Sequence, residues 1–242
     1  MFTAEFESEG AFRKLLSKAK LADEVDVLFS TILKSNGGGD NQAQLNQDIF
    51  ALVVSGFKRN GFFVEFGATN GLESSNTFLL EKSFGWDGIL AEPAAIWHDD
   101  LLRNRNCRIE FDCVWKATGE TIDFDIVVAA GLSTISRFAQ SDMHAEKRKN
   151  KTTCKLETIS LRDLLGKHNA PSFIDYMSVD TEGSEFEILE AFDFDEYQFG
   201  LITIEHNYTE SREKLEKLMG KAGYKRVFQF LSKWDDWYVP DK

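Results

Sequence analysis

Residues 61–92 predict a buried strand, a glycine turn, a helix and a second strand in succession. The mainly apolar run 62–66 has the composition of a strand buried on both faces, and Gly67 and Gly71 interrupt it. An apolar helical pattern follows, and the second strand ends before Pro93. This alternation is typical of a doubly wound α/β sheet, which binds ligands at the carboxyl ends of its strands.

The polar residues of this unit stand where such a sheet would bind a cofactor. Glu65 lies two residues before Gly67, where a glycine allows the backbone to approach a ligand closely. Gly71 allows the next helix to pack near the strand. Glu92 follows Gly71 by 21 residues, the interval typical of a carboxylate that binds the hydroxyls of a ribose.

The glycine spacing leaves the class of cofactor open. Dinucleotide sites use GxGxxG, whose glycines and helix N-terminus seat a pyrophosphate. Here the spacing is GxxxG, with Ala68 and Thr69 between the glycines. A cofactor without phosphate needs fewer glycines, and a cationic one would be attracted by Glu65. These residues favour S-adenosylmethionine over a dinucleotide, and a tight turn without a ligand is the third interpretation.

The sequence before residue 45 differs from the rest in pattern. Residues 12–33 carry apolar positions at helical spacing, and the glycine run 37–39 breaks that pattern. We therefore predict an N-terminal helical extension over residues 1–44 and a single α/β domain over residues 45–242.

The second half of the chain continues the alternation after an inserted element. Residues 108–115 and 121–128 alternate apolar and polar positions around Gly119, which predicts a hairpin. Ser184 and Glu187 predict a capping box at the start of a helix. Further strands are predicted at residues 173–179, 199–204, 224–230 and 234–239, the last two as a terminal hairpin of a mixed sheet.

Polar residues follow two of these strands and are candidates for catalysis. Asp180 ends one strand, and Glu205, His206 and Asn207 end the next, so both groups should face the same crevice. A histidine or a carboxylate could remove a proton from an acceptor, with His206 the first choice, Asp180 the second and Glu205 beside them. Asp180, Glu205 and Asn207 also offer oxygen ligands for Mg²⁺, an alternative to the metal-free site that we predict.

Two separated blocks resemble the FkbM-family methyltransferases, over about residues 47–224. The first block comprises residues 60–68, 75–77, 80–81, 85–86, 88 and 91–93, and the second comprises residues 159–165 and 178–185. The resemblance implies a class I, Rossmann-like fold with a mixed seven-stranded sheet and helices on both faces. It also implies S-adenosylmethionine as the methyl donor and O-methylation of a hydroxyl on a sugar, glycan or small metabolite.

The same resemblance implies roles for individual residues. Glu65, Gly67 and Gly71 would contact the methionine part of the cofactor, and Ala68 lies in the same segment. Glu92 would bind the ribose hydroxyls, and Asp112 would accept a hydrogen bond from the adenine amine. Two alternatives stay open, a nucleotide-dependent oxidoreductase and a non-catalytic cofactor-binding scaffold.

The charge and composition restrict the partners and the location. A net charge of −12 argues against binding to nucleic acid phosphates. No apolar run approaches the length of a membrane span, the N-terminus lacks the pattern of a signal peptide, and three cysteines do not form a disulfide framework. We therefore expect a cytoplasmic protein without a membrane partner. The sequence carries no signal for its oligomeric state.

The basic stretch 147–151 is the one departure from this acidic character. It predicts either a mobile lid that attracts an anionic acceptor or an ordinary solvated loop.

Overall fold

The computed structural model describes residues 42–127, 131–229 and 231–241. The predicted helix at residues 12–33 and the glycine run 37–39 lie outside the described residues. The boundary between an extension over residues 1–44 and a domain over residues 45–242 stays a prediction. No helix in the described part of the chain combines the length and the apolar character that crossing a membrane requires.

The described residues form thirteen strands and six α-helices. The strands are β1 (Phe62–Phe66), β2 (Asp87–Ala91), β3 (Arg108–Glu110), β4 (Cys113–Trp115), β5 (Thr121–Ile126), β6 (Thr134–Ile135), β7 (Thr152–Ser160), β8 (Phe173–Ile174), β9 (Tyr176–Val179), β10 (Gln198–Phe199), β11 (Ile202–Glu205), β12 (Tyr224–Val227) and β13 (Asp235–Pro240). The helices are α1 (Gln47–Val54), α2 (Phe78–Phe84), α3 (His98–Asn104), α4 (Leu161–Lys167), α5 (Glu185–Glu190) and α6 (Ser211–Lys221).

Seven strands form the main sheet in the order β12-β13-β11-β9-β1-β2-β3. All neighbours are parallel except β13, which is antiparallel to both β11 and β12. Numbered within this sheet alone, the strands run 3-2-1-4-5-7-6, so the direction of progression reverses beside β1. The predicted mixed α/β sheet is confirmed, and β1 lies at the switch point where doubly wound sheets bind ligands.

The central strands are buried because helices pack against both faces of the sheet. Val64, Ile89, Met177 and Ile202 are all fully buried and belong to one apolar core. Right-handed crossovers place α2 and α3, which connect strands on one side of β1, on the face opposite to α5, which connects strands on the other side. The near-continuous apolar composition of these strands follows from that double covering.

A second sheet is inserted between β3 and β9, and it corrects one prediction. Its order is β4-β7-β5-β6, in which β4 is parallel to β7 and β5 is antiparallel to β7. The predicted hairpin of residues 108–115 with residues 121–128 is therefore wrong, because β7 lies between β4 and β5. Gly119 does form a turn, with a φ of 82°, but its N–H donates to the carbonyl of Thr158 in β7.

Local hydrogen bonds correct two further predictions. The capping box of Ser184 and Glu187 is not formed, because the Ser184 hydroxyl donates to Thr181 Oγ1 and makes no cap hydrogen bond. The single strand predicted at residues 173–179 divides into β8 and β9 at Asp175, whose carboxylate accepts hydrogen bonds from Lys58 and from the N–H of Phe62.

Candidate active site

A cavity of about 350 Å³ opens at the carboxyl ends of β1, β2, β9 and β11, within the size range of small-molecule sites. Residues from the main sheet line one side of it, and residues from the inserted segment line the other. The main-sheet side includes Phe66, Gly67, Thr69, Ala91, Glu92, Pro93, Trp97, Asp180, Thr181, Glu182, Ser184, Glu205, Asn207 and Trp234. The inserted side includes Cys113, Val114, Phe124, Gly131, Leu132, Ser133, Ile135, Met143, His144 and Lys147.

Gly67 is required where β1 ends because two loops meet there. Its φ is 75°, and a Cβ at this position would overlap the carbonyl oxygen of Asp180. Any side chain would therefore separate the loop that follows β1 from the loop that follows β9. The predicted close backbone approach at Gly67 is thus present, although its partner within the protein is the loop that carries Asp180.

Glu92 lies at the end of β2 with its carboxylate held in place and directed to the cavity. Oε2 accepts the N–H of Thr69 at 2.8 Å, and Oε1 accepts the N–H of Ala94 at 2.8 Å. Burial, with a contribution from nearby Asp180, raises the pKa of Glu92 to about 7. A carboxylate oxygen can accept two hydrogen bonds, so each oxygen retains capacity for one hydroxyl of a ribose diol.

Glu65 is buried behind the cavity and does not line it. Its carboxylate accepts hydrogen bonds from the N–H of Asn76 and from the hydroxyls of Ser75 and Thr77, and Nη1 of Arg105 lies 3.8 Å away. The structure therefore does not bring Glu65 to the cavity surface, where contact with a cofactor would occur.

Ala68, Gly71 and Asp112 also lie outside the cavity lining. Ala68 and Gly71 are buried in the turn that follows β1. The side chain of Asp112 is partly exposed, with its Oδ2 3.7 Å from Nζ of Lys167. The next two residues, Cys113 and Val114, face the cavity in its place.

Asp180 and Glu205 form a carboxyl pair at the base of the cavity. They come from the ends of the neighbouring strands β9 and β11, and one oxygen of each carboxyl lies within 4.8 Å of the other. Burial raises the pKa of Asp180 to about 7. Burial, followed by repulsion from Asp180 and Glu182, raises the pKa of Glu205 well above its ordinary value. The pair can therefore accept or release a proton near neutral pH.

Glu182 extends this acidic group, and three carboxylates together could hold a cation. One oxygen each of Asp180, Glu182 and Glu205 lie within 4.8 Å of one another. Oε2 of Glu182 accepts a 2.6 Å hydrogen bond from Arg148, so a guanidinium already neutralises part of the charge. Nδ2 of Asn207, a residue that the alternative Mg²⁺ site would use, donates a 3.5 Å hydrogen bond to Oε2 of Glu182.

His206 lies between two lining residues but is not itself one of them. Glu205 and Asn207 line the cavity, whereas the side chain of His206 is buried outside it, at the point where β11 ends and a turn begins. Its Nδ1 accepts the N–H of Tyr208 at 3.0 Å, and its Nε2 lies 3.6 Å from Oδ1 of Asp236. The structure thus does not bring the first-choice base to the cavity, whereas it brings Asp180 and Glu205 there.

Two arginines that the sequence analysis did not single out hold this site together. Arg148 belongs to the basic stretch but is buried, and it joins the inserted wall to Glu182. Arg105 is buried behind the turn that follows β1. The presence of an arginine in a sequence does not indicate whether its side chain is buried or solvated. The burial of Arg105 and Arg148 could therefore not be predicted.

A mixed seven-stranded sheet of this order, with its cavity at the ends of β1 and β2, is the class I methyltransferase fold. The sequence model of the methyltransferase FkbM domain matches residues 65–236, and the chain belongs to that family. Membership implies S-adenosylmethionine as the methyl donor and sets the nucleotide-dependent oxidoreductase aside.

Solved structures show a weaker likeness. The chain is similar to precorrin-6y C5,15-methyltransferase from Geobacter metallireducens GS-15, at 11% identity and a TM-score of 0.41, over 74% of this chain and 70% of that one. It is also similar to a chain of a fibrillarin/Nop5p complex, at 12% identity and a TM-score of 0.43, over 83% of each of the two chains. The likeness to a methyltransferase from Pyrococcus furiosus has 13% identity and a TM-score of 0.39, over 90% of this chain and 96% of that one. No curated protein matches the chain. The family assignment does not rest on these likenesses.

Proposed function

We propose that the chain transfers the methyl group of S-adenosylmethionine to a hydroxyl oxygen of a sugar, a glycan or a small metabolite bound in the cavity. The observation that carries the proposal is the Asp180–Glu205 pair. A hydroxyl must lose its proton as it is methylated, and this pair offers a carboxylate with a pKa near neutrality at the cavity surface.

The residues at the ends of β1 and β2 fit the cofactor. Glu92 can accept the two ribose hydroxyls, since its two existing hydrogen bonds fix its orientation without using all of its acceptor capacity. The backbone at Gly67 and Thr69 borders the same region. When bound, S-adenosylmethionine supplies an electrophilic methyl group on a sulfonium. The carboxylates of Asp180, Glu182 and Glu205 in the cavity stabilise that positive charge.

The protein's own part in the reaction is to position the acceptor and to take its proton. As the new carbon–oxygen bond forms, the carbon–sulfur bond breaks and the hydroxyl proton passes to the carboxylate of the Asp180–Glu205 pair. Alignment of the oxygen with the methyl supplies much of the acceleration. The inserted wall and Trp97 border this region of the cavity.

A methyl-transfer assay tests this function. Purified protein is incubated with S-adenosylmethionine and a panel of hydroxyl, amine and thiol acceptors, with and without EDTA, and S-adenosylhomocysteine is quantified. We expect methylation of hydroxyl acceptors that EDTA does not abolish. Exclusive methylation of amines or thiols, or no transfer by a protein that binds the cofactor, would contradict the proposal, and the latter result would support the scaffold.

Matched variants assign the proton acceptor. Asp180→Asn and Glu205→Gln keep the shape of each side chain but remove its basicity, and each should lower kcat by about 10²-fold or more. Glu213→Gln, an exposed change in α6, serves as the control for loss of one negative charge. Equal activity of the three variants would show that the pair does not take the proton.

A further inference from the structure

We propose that Arg105 is a positioning residue of the cofactor site and that Glu65 acts with it. The two form a buried clamp that fixes the loop 69–77, and Glu65 supports cofactor binding through this loop and not by touching the methionine part. The inference rests on the proposed cofactor site and assigns these two residues a role in it that sequence spacing alone does not suggest.

Arg105 gathers hydrogen-bond acceptors from the loop and from the helix that follows it. Nη1 donates to the carbonyl of Gly71 at 3.1 Å and to Ser75 Oγ at 2.9 Å. Nη2 donates to Thr77 Oγ1 at 2.8 Å, and Nε donates to Glu81 Oε2 at 2.6 Å. The side chain is fully buried, so no water competes for these donors. A planar guanidinium can satisfy this spread of acceptors, whereas a single ammonium cannot.

Glu65 binds the same loop by accepting hydrogen bonds from it. Its Oε1 accepts the N–H of Asn76 at 2.8 Å, and its Oε2 accepts the hydroxyl of Ser75 at 3.1 Å and that of Thr77. Ser75 and Thr77 thus stand between the carboxylate and the guanidinium. The charges of Glu65 and Arg105 compensate each other within a buried network.

Gly71 provides the space for this clamp. A Cβ at position 71 would lie 2.6 Å from Cγ of Arg105 and 2.6 Å from Cδ1 of Leu101, and the glycine φ is 74°. Its lack of a side chain therefore admits the arginine stem beneath the loop. The second glycine of the GxxxG segment is explained by this packing without any contact to a ligand.

The clamped loop is connected to the cavity at both ends. At one end the N–H of Thr69 holds Oε2 of Glu92, the proposed ribose ligand. At the other end Nδ2 of Asn76 donates to Ser178 Oγ at 2.9 Å, two residues before Asp180. Between these ends Glu73 and Ser74 line the cavity. Displacement of the loop would therefore alter the geometry of the ribose site.

Calorimetric binding of two ligands separates a clamp from a direct contact. The probes are S-adenosylmethionine and 5′-methylthioadenosine, which shares the adenosine part but lacks the amino-acid part. The variants are Glu65→Gln, Arg105→Lys and Arg105→Met. The control is Arg103→Met, because Arg103 lies two residues away and is largely exposed. Titrations are run well below each variant's melting temperature, so that a loss of stability alone leaves Kd unchanged.

The clamp predicts that each Glu65 and Arg105 variant weakens both ligands by a similar factor of about ten, the loss expected for one charge-assisted hydrogen bond. Arg105→Lys should not rescue binding, and Arg103→Met should bind normally. Selective loss of S-adenosylmethionine with unchanged binding of 5′-methylthioadenosine would overturn the proposal in favour of direct contact. Unchanged Kd in Arg105→Lys would also overturn it. If Arg105→Met fails to fold, Arg105→Lys and Glu65→Gln decide the question. Wild-type protein that binds neither ligand would refute the proposed function, a result distinct from either outcome above.

Discussion

Nη2 of Arg148 donates a 2.6 Å hydrogen bond to Oε2 of Glu182, and both side chains are buried. The same guanidinium donates two hydrogen bonds to the carboxylate of Asp142, and its Nε donates to the carbonyl of Leu132. The loop that follows β9, which also carries Asp180, is thereby fixed to the wall contributed by the inserted segment. Arg148 and Thr134, whose hydroxyl donates to the carbonyl of Glu182 at 2.8 Å, together join the two sides of the cavity.

Replacing Arg148 should destabilise the protein strongly. Arg148→Met leaves the carboxylates of Asp142 and Glu182 buried without a counter-charge, and breaking a buried pair in this way costs about 3 to 5 kcal/mol. Urea unfolding measures the effect. Lys149→Met removes a cation from the neighbouring, exposed position and should change the free energy of unfolding by under about 0.5 kcal/mol. Similar losses in the two variants would show that Arg148 has no special role.

Cofactor affinity should depend on the ionisation of Glu92. The carboxylate accepts hydroxyl hydrogen bonds better than the neutral acid, and the pKa of Glu92 is raised to about 7 by burial. We therefore expect S-adenosylmethionine to bind more weakly as the pH falls below 7. Glu92→Gln should weaken binding at pH 8 by about tenfold and flatten this pH dependence. Calorimetry at pH 6, 7 and 8 provides the comparison. A full pH dependence in Glu92→Gln would assign the titration to another group, such as Asp180.

Lys147 offers a test of whether the acceptor is anionic. It lines the cavity, whereas Arg148 pairs with Asp142 and Glu182, and Lys151 pairs with Asp125. If the acceptor carries a carboxylate or a phosphate, Lys147→Met should raise its KM by roughly twofold to fivefold, as expected for an exposed ion pair. Lys149→Met, in the same stretch, should leave KM unchanged. Equal KM values in wild type and Lys147→Met would dismiss an anionic acceptor held by this lysine.

Asp48 should make the fold less stable as the pH rises. It is completely buried in α1, and burial raises its pKa to about 8. Because this folded-state pKa exceeds the unfolded value, the stabilising contribution is complete below about pH 4 and is lost as the pH rises toward 8. Asp48→Asn keeps a neutral side chain at every pH.

The advantage of Asp48→Asn over wild type should therefore grow between pH 6 and pH 8, by roughly 2 to 3 kcal/mol. Chemical unfolding at the two pH values measures it, with the exposed change Asp99→Asn as the control. A constant difference between variant and wild type across this range would show that Asp48 does not titrate there.

The first βαβ unit could be predicted from the sequence because its signals are local. The apolar run of β1, the turn at Gly67 and the carboxylate of Glu92 all lie within about thirty residues, and their order alone predicts a crevice at the strand ends. The pairing of β4 and β5 could not be predicted in this way. Both pair with β7, and strand pairing over such separations depends on contacts that no short window contains.

The catalytic and cofactor residues show the same division. Asp180 and Glu205 could be placed at the cavity because they end adjacent parallel strands. The direction of the His206 side chain could not be predicted from strand alternation, because β11 ends at Glu205 and Asn207 begins a turn with a φ of 43°. Arg103 and Arg105, two residues apart, are largely exposed and fully buried respectively. Arg105 is covered by the turn at Gly71, whose carbonyl accepts one of its hydrogen bonds. The position of that turn depends on tertiary packing and not on the local sequence.

The inserted β4-β7-β5-β6 sheet leaves the main sheet after β3 and returns before β9. Nζ of Lys167, at the end of α4, lies 2.8 Å from Oε2 of Glu110, at the end of β3, so the segment between these residues can be replaced without interrupting β1, β2 or β9, which precede Gly67, Glu92 and Asp180. A relative's segment grafted between those points would bring a new acceptor wall to an unaltered donor-binding half. If the acceptor binds against the inserted wall, as the proposed function requires, substrate preference can change through this one segment, provided that the graft keeps an arginine able to reach Glu182.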